Sequence, residues 1–146
     1  MPAPQNFKNH TRFDPMFHFF LLPVLLLNII FSIYIAIHHW PENVHLHLWW
    51  IVMSLAFFVL AGVARSSAVR AQNRIIRLEE RLRLMALLPA EDHKYIPELT
   101  TRQLIALRFA CDKELPDLVR KTLSQRLEPK AIKQNIGDWR ADHERV

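Results

Sequence analysis

The chain has 146 residues, enough for one or two small units, with 19 Lys or Arg against 14 Asp or Glu and a net charge of +5. A mean hydropathy near zero hides a division, because Lys8, Arg12, Asp14 and Glu42 cancel within residues 1–64 and the excess positive charge lies wholly in 65–146. One cysteine, Cys111, excludes an intramolecular disulfide, and two glycines argue against phosphate-cradling loops and most β architectures.

Residues 1–16, MPAPQNFKNHTRFDPM, form a polar, proline-bearing arm. It lacks the shape of a secretory leader, since the apolar run after it is too long and no small-residue cleavage pattern follows. Its triplet Asn9-His10-Thr11 fits a glycosylation sequon, unused on the cytoplasmic side. Phe17–Ile37 is 21 residues of almost continuous apolar sequence, long enough to cross a hydrocarbon core of about 30 Å as a helix. Pro23 is expected to kink it by removing a hydrogen bond. Asn28 lies near the middle, at the depth of Ser54, and is expected to hydrogen-bond across helices. His18 at the entrance is expected to bond Ser66 or Ser67 or to meet solvent.

His38 to His47 reads HHWPENVHLH, without Lys or Arg. Trp40-Pro41-Glu42-Asn43 supplies a turn, and Trp40, Trp49 and Trp50 form an aromatic belt. From about Leu46 to Leu88 no proline intervenes, and the chain reads as one helix of about 60 Å. Its first part, Leu48–Ala64, carries no charge. Arg65, Arg70, Arg74 and Arg77 follow. They are expected to meet anionic lipid. Lys and Arg flank both spans on one side and are missing from the loop, so both termini are expected in the cytoplasm and the loop outside.

Beyond Ala64 the helix becomes amphipathic. Ala68, Ala71, Ile75, Leu78, Leu82 and Met85 recur at steps of three and four, an a/d seam. The seam is expected to pack on the C-terminal lobe, with self-association as the alternative, and Glu79 and Arg83 form an i,i+4 pair. A second edge, Ile76, Leu84, Leu87 and Leu88, is expected to stay open for an unknown protein partner or a second copy.

Pro89 and Pro97 bracket an expected linker. Thr100 and Gln103 make a capping box for LTTRQLIALRFA. Asp112 is the expected N-cap of a helix tolerating Pro116, and Pro129 and Gly137 open and close another. Leu104, Leu107, Phe109, Leu118, Val119, Leu123, Leu127, Ile132, Ile136 and Trp139 are the expected core of a lobe over 98–146. The fold class is therefore all-α: a transmembrane hairpin (17–64), an amphipathic extension of its second helix (65–88) and a small helical lobe.

The segments QNFKNHTRFDPMFHF, RLEERLRLMALLP, LTTRQLIALRFACDKELPDLV and PKAIKQNIGDWRADHERV resemble a bacterial membrane-protein family catalogued as a domain of unknown function. The resemblance covers nearly the whole chain. It implies two spans and a cytoplasmic helical tail, and it brings no activity and no catalytic residues to carry over.

Chemistry is sparse. His38, His39, His45 and His47 are the one cluster with metal-ligand character, though histidine and tryptophan also suit a membrane interface. A haem would need a second His18 from another copy. Cys111 lacks a nucleophile's neighbours and reads as a small core thiol. The tail lacks an unbroken basic stripe, so nucleic acid is not an expected partner. The expected function is a non-enzymatic inner-membrane scaffold or accessory subunit without a cofactor. The alternatives are a metal- or haem-binding membrane subunit and a membrane-tethered regulator.

Overall fold

In a computed structural model the described residues are 6, 7 and 13–142. Most of the N-terminal arm, including Lys8, Arg12 and the Asn9-His10-Thr11 triplet, lies outside them, as do the last four residues. A π-helical turn, Met16–Leu21, leads into α1, Leu22–His38. Then come α2, Val44–Leu87, a 3-10 segment, Ala90–Glu98, and three short helices: α3, Thr101–Leu107, α4, Leu115–Gln125, and α5, Pro129–Gln134. The described residues contain no strand, only an isolated antiparallel bridge between Ala110 and Trp139. The chain divides into two units: Phe13–Val69, and Arg70–Val146 together with Met1–Arg12.

In the first unit Pro23 lies at the start of α1, where the π-helical turn gives way to regular helix. Proline has no N–H to donate and crowds the carbonyl four residues back, which suits such a junction. The helix ends at His38, and a turn with left-handed Asn43 (φ 49°) reverses the chain. The carbonyl of Asn43 accepts from Leu46 and His47 and so opens α2. That helix runs 44 residues. Its sequence after Asn43 has no proline, a single glycine and many strong helix formers.

The second unit is built on the C-terminal part of α2. Its core holds Leu84 of α2 and Leu88 just after it, Ile96 and Leu99, Leu104 and Leu107 of α3, Phe109, Leu115, Leu118 and Val119 of α4, and Ile132 and Ile136. The expected core residues all take part, with Leu123, Leu127 and Trp139 at its margin. The capping box forms as expected: Thr100 caps α3 and Gln103 reaches back. Pro116 and Pro129 occupy first-turn positions of α4 and α5.

Several expectations fail here. The linker is helical, with Ile96 buried and His93 bonded to the Leu88 carbonyl at 3.0 Å. Helix α3 stops at Leu107, because the chain beyond it pairs with the returning tail: Cys111 N–H donates to Asp138 O at 3.1 Å and Arg140 N–H to Phe109 O at 2.7 Å. Asp112 caps nothing; α4 starts after Glu114, and Asp112 bonds Arg83 instead. Gly137 is not a left-handed helix end. It leaves room for the Glu114 carboxylate, which accepts its N–H at 3.0 Å and which a Cβ would meet at 3.3 Å.

The largest correction concerns α2. The edge expected to stay open is covered: Leu84 is fully buried, Ile76 and Leu88 nearly so, and Leu87 packs on the core. The seam expected to be covered is open, with Ile75, Leu78, Leu82 and Met85 at 57, 61, 58 and 53% exposure. The covered row is Ile76, Glu80, Leu84 and Leu88, spaced by four. Counting about 100° per residue, it lies nearly opposite the seam. Leu84→Ala should therefore destabilise the lobe by about 2–5 kcal/mol, while Leu82→Ala should change it by less than about 0.5 kcal/mol. Hydrogen exchange of the α3–α5 amides in detergent checks the contrast; equal effects would contradict the assignment of faces.

Candidate functional site

Near the middle of the hairpin three polar residues face inward, while many large apolar residues are exposed. Ser54 is fully buried and Ser32 nearly so, while Phe19, Phe31, Trp49, Val59 and Leu60 are exposed. Asn28 Nδ2 donates to Ser54 Oγ at 2.7 Å, as the shared depth of the two residues suggests. Ser32 Oγ donates to the Asn28 carbonyl at 2.7 Å, Ser54 Oγ donates to the Trp50 carbonyl at 2.8 Å, and the two hydroxyls lie 3.1 Å apart. With both hydroxyl protons given to carbonyls of their own helices, the bond that ties α1 to α2 is the one from the Asn28 amide to Ser54. Such bonds are worth about 0.6 kcal/mol each, with a maximum near 2.

At the other end of this unit, Asp14 holds the start of the first helix. Its Oδ1 accepts from the N–H groups of Met16 and Phe17 at 3.1 and 3.3 Å, and its Oδ2 lies 3.9 Å from Arg65. The Arg65 guanidinium also sits 5.5 Å from the centre of the Phe17 ring. Arg65 is therefore engaged within the chain rather than left wholly to lipid. Arg70, Arg74 and Arg77 are exposed. His18 turns back on itself, Nδ1 lying 2.9 Å from the Asp14 carbonyl with Phe13 and Phe17 against the ring, while Ser66 Oγ donates to Val63 O. The role of Asp14 was visible in principle: an Asp-Pro pair just before an apolar helical run is a start signal.

The four loop histidines do not converge. His38 and His39 each place Nδ1 near a carbonyl of their own helix, Tyr34 at 3.0 Å and Ile35 at 3.2 Å. His39 and His47 approach to 6.0 Å between ring centres, and His45 is exposed. Among the described residues no group of three or more His, Cys, Asp or Glu is placed to hold a metal ion. The physical reason is local for two of them: the imidazoles of His38 and His39 each find an acceptor one helical turn back.

In the second unit the polar centre is Arg83. Its Nε and Nη2 donate to Asp112 Oδ1 at 2.8 and 2.6 Å, Nη2 also donates to the Ala110 carbonyl at 2.7 Å, and Nη1 donates to Glu80 Oε2 at 3.2 Å. The expected partner Glu79 is left out. Glu80 is buried, and burial raises its carboxyl above the usual value of 4.5 although the Arg83 charge and hydrogen bond pull it down. Nearby, Arg108 pairs with Asp142 at 3.2 Å over the Phe109 ring. Arg120 joins α4 to the 3-10 segment through Asp92 at 3.0 Å. These contacts are structural; none sets a nucleophile beside a base. Cys111, half-buried in the turn after Phe109, has no such partner either.

Two surfaces remain as functional candidates: the apolar exterior of the hairpin and the open seam of α2. Burying a large aliphatic side chain is worth about 1.5–3 kcal/mol, so four in one stripe form a strong contact surface. The molecule is thus an all-helical protein with two helices, Met16–His38 and Val44–Leu87, long and apolar enough to cross a membrane. The chain belongs to a family of unknown function, DUF6526, whose model matches residues 1–146. No curated protein and no solved structure matches it.

The raised Glu80 carboxyl gives a pH signature. The folded chain holds the proton more tightly than the unfolded one. The contribution of Glu80 to stability is therefore greatest below 4.5 and is lost as pH rises through the folded value. Glu80→Gln keeps an acceptor for Arg83 and removes the titration. The natural chain should gain stability relative to this variant as pH falls through that interval, measured as the difference between their urea midpoints. A difference independent of pH would contradict the burial argument.

Proposed function

We propose that the protein is a non-enzymatic integral component of the bacterial cytoplasmic membrane. A two-span hairpin anchors it, and both termini and the helical lobe lie on the cytoplasmic side. The single observation that supports this reading is the inverted polarity of the hairpin: Asn28, Ser32 and Ser54 are bonded inside while most of the large aromatic and aliphatic side chains are exposed. A core helix of a water-soluble protein has the opposite arrangement, buried apolar and exposed polar. In hydrocarbon the inversion is favourable, because unpaired polar groups are costly there and apolar exteriors are not.

The orientation rests on the distribution of Lys and Arg around the spans. Arg65 and Arg70 lie within about 10 Å of helical rise from Ala64, close enough to the headgroups to feel anionic lipid within a Debye length. The lobe, with its charged exterior and packed core, serves as the platform presented to a partner. Among the described residues its polar contacts are structural ion pairs, and scaffold or accessory work is the role proposed.

Reporter fusions test the topology. A fusion at Val146 should report cytoplasm, a reporter within Pro41–Asn43 should report the outside, and the chain should resist alkaline extraction from membranes. An externally accessible C-terminus, or release by alkali, would overturn the proposal.

A further inference from the structure

Ile75, Leu78, Leu82 and Met85 form one exposed stripe on α2, and the lobe cannot cover it while Leu84 and Leu88 of the opposite stripe are committed to the core. We propose that a second copy of this chain covers it, the two copies joining as a parallel, in-register, two-stranded coiled coil over residues 71–85. The proposal rests on the membrane reading for orientation and goes beyond it in naming the occupant and the register.

Spacing supplies the first argument. Steps of three and four keep a stripe facing one partner helix with a period of 3.5, and Ile75 at a with Leu78 at d is the combination that favours two parallel strands. Ala71, at the preceding d position, is small and exposed, and lets the two backbones approach.

Charge supplies the second. In this register Arg74 takes position g and Glu79 the following e. A parallel pair sets g of one helix against the next e of the other, so Arg74 faces Glu79 of the second copy, twice by symmetry. Both side chains are exposed, and neither is in an ion pair among the described residues. Arg83, the natural i+4 partner of Glu79, is occupied by Glu80 and Asp112 at 3.2 and 2.6 Å. An antiparallel pair would set Arg74 against Arg81 and Glu79 against its own copy, which repels.

The membrane supplies the third. Copies inserted in one orientation run their α2 helices the same way. Confinement to a shared surface raises their effective concentration, which offsets a seam only about two heptads long.

Cysteine cross-linking of the full chain in isolated membranes tests this. In a Cys111→Ala background, Ile75→Cys, Met85→Cys and the off-seam Arg77→Cys are each oxidised. Homotypic disulfide dimers should form at both Ile75→Cys and Met85→Cys, at about ten times the yield at Arg77→Cys, since only a and d positions meet their own copies across the axis. A second measurement keeps the natural cysteine. By light scattering in mild detergent, Arg74→Glu should weaken the dimer by roughly tenfold, two attractions becoming two repulsions, and adding Glu79→Arg should restore it. Products at one end of the seam only, equal yields at Arg77→Cys, adducts with a different protein, or charge variants that behave like the natural chain would each overturn the proposal. Orientation is scored on the same membranes with a Val146 reporter. A correctly oriented chain without homotypic products overturns the dimer and leaves the membrane reading standing. Homotypic products at both ends from a chain that fails to insert would uphold the dimer and overturn the membrane reading.

Discussion

The architecture of the lobe depends on one arginine. Arg83 gathers Asp112, the Ala110 carbonyl and Glu80 around a single guanidinium. These groups come from α2 and from the turn after α3, whose backbone also receives the tail at Cys111 and Phe109. Only a planar fork with donors on several edges can satisfy them together. A lysine would serve one or two of them and leave the buried Glu80 carboxylate or the Ala110 carbonyl short of a donor. About 50 residues cannot enclose a large core unaided, so the lobe takes Leu84 of α2 and Leu88 just after it as its own, and Arg83 fixes which side of the helix it takes. Glu80 bears a desolvation cost at this junction that Arg83 only partly offsets. Its value is directional, since it can be accommodated on the Arg83 side of α2 and nowhere on the apolar seam.

On the membrane reading proposed above, the hairpin solves the converse problem. In water a helix pair is held by apolar burial between its members. In hydrocarbon that force vanishes, because lipid tails are as apolar as the side chains they would replace. The Asn28–Ser32–Ser54 network then supplies what apolar contact cannot: a reason for α1 and α2 to keep one register. Asp14 and Arg65, 3.9 Å apart and both part-buried, add a second tie at the end of the unit.

Much of this was legible in the sequence wherever the signal was local. The capping box at Thr100, the prolines opening α4 and α5 and the apolar core positions are fixed by neighbours within one or two turns. The Asn28–Ser54 bond followed from counting depth outward from the turn. What was illegible involved partners far apart in the chain. Asp112 has a good N-cap composition, but Arg83, 29 residues earlier, claims it. Ile96 and Leu99 sit among charges and prolines that read as a linker, and only the closed core shows why they are buried. The edge Ile76, Leu84, Leu88 was legible as apolar, but the glutamate within it made it look the poorer surface for the lobe, and its burial shows only in the closed core. The a/d seam scored higher because it is purely apolar, and that same purity leaves it nothing polar with which to engage the Arg83 centre.

The two faces of α2 therefore divide by chemistry as well as by geometry. The lobe is a mixed surface, apolar with a buried ionic junction, and it fits the one stripe of α2 that is also mixed. A second helix with the same seam is uniformly apolar along its centre and charged only at its margins, which is the complement of the stripe that remains. Had the lobe docked on Leu78 and Leu82, Glu80 and Arg83 would have faced water and the apolar residues Leu84 and Leu88 would have been exposed with them. Placing the ionic pair inside the monomer instead leaves a surface flanked by Arg74 and Glu79, which carry opposite charge at positions that the proposed parallel copy brings together. The internal ion pair thus decides how the lobe folds and, by the face it excludes, what kind of surface the helix has left to offer.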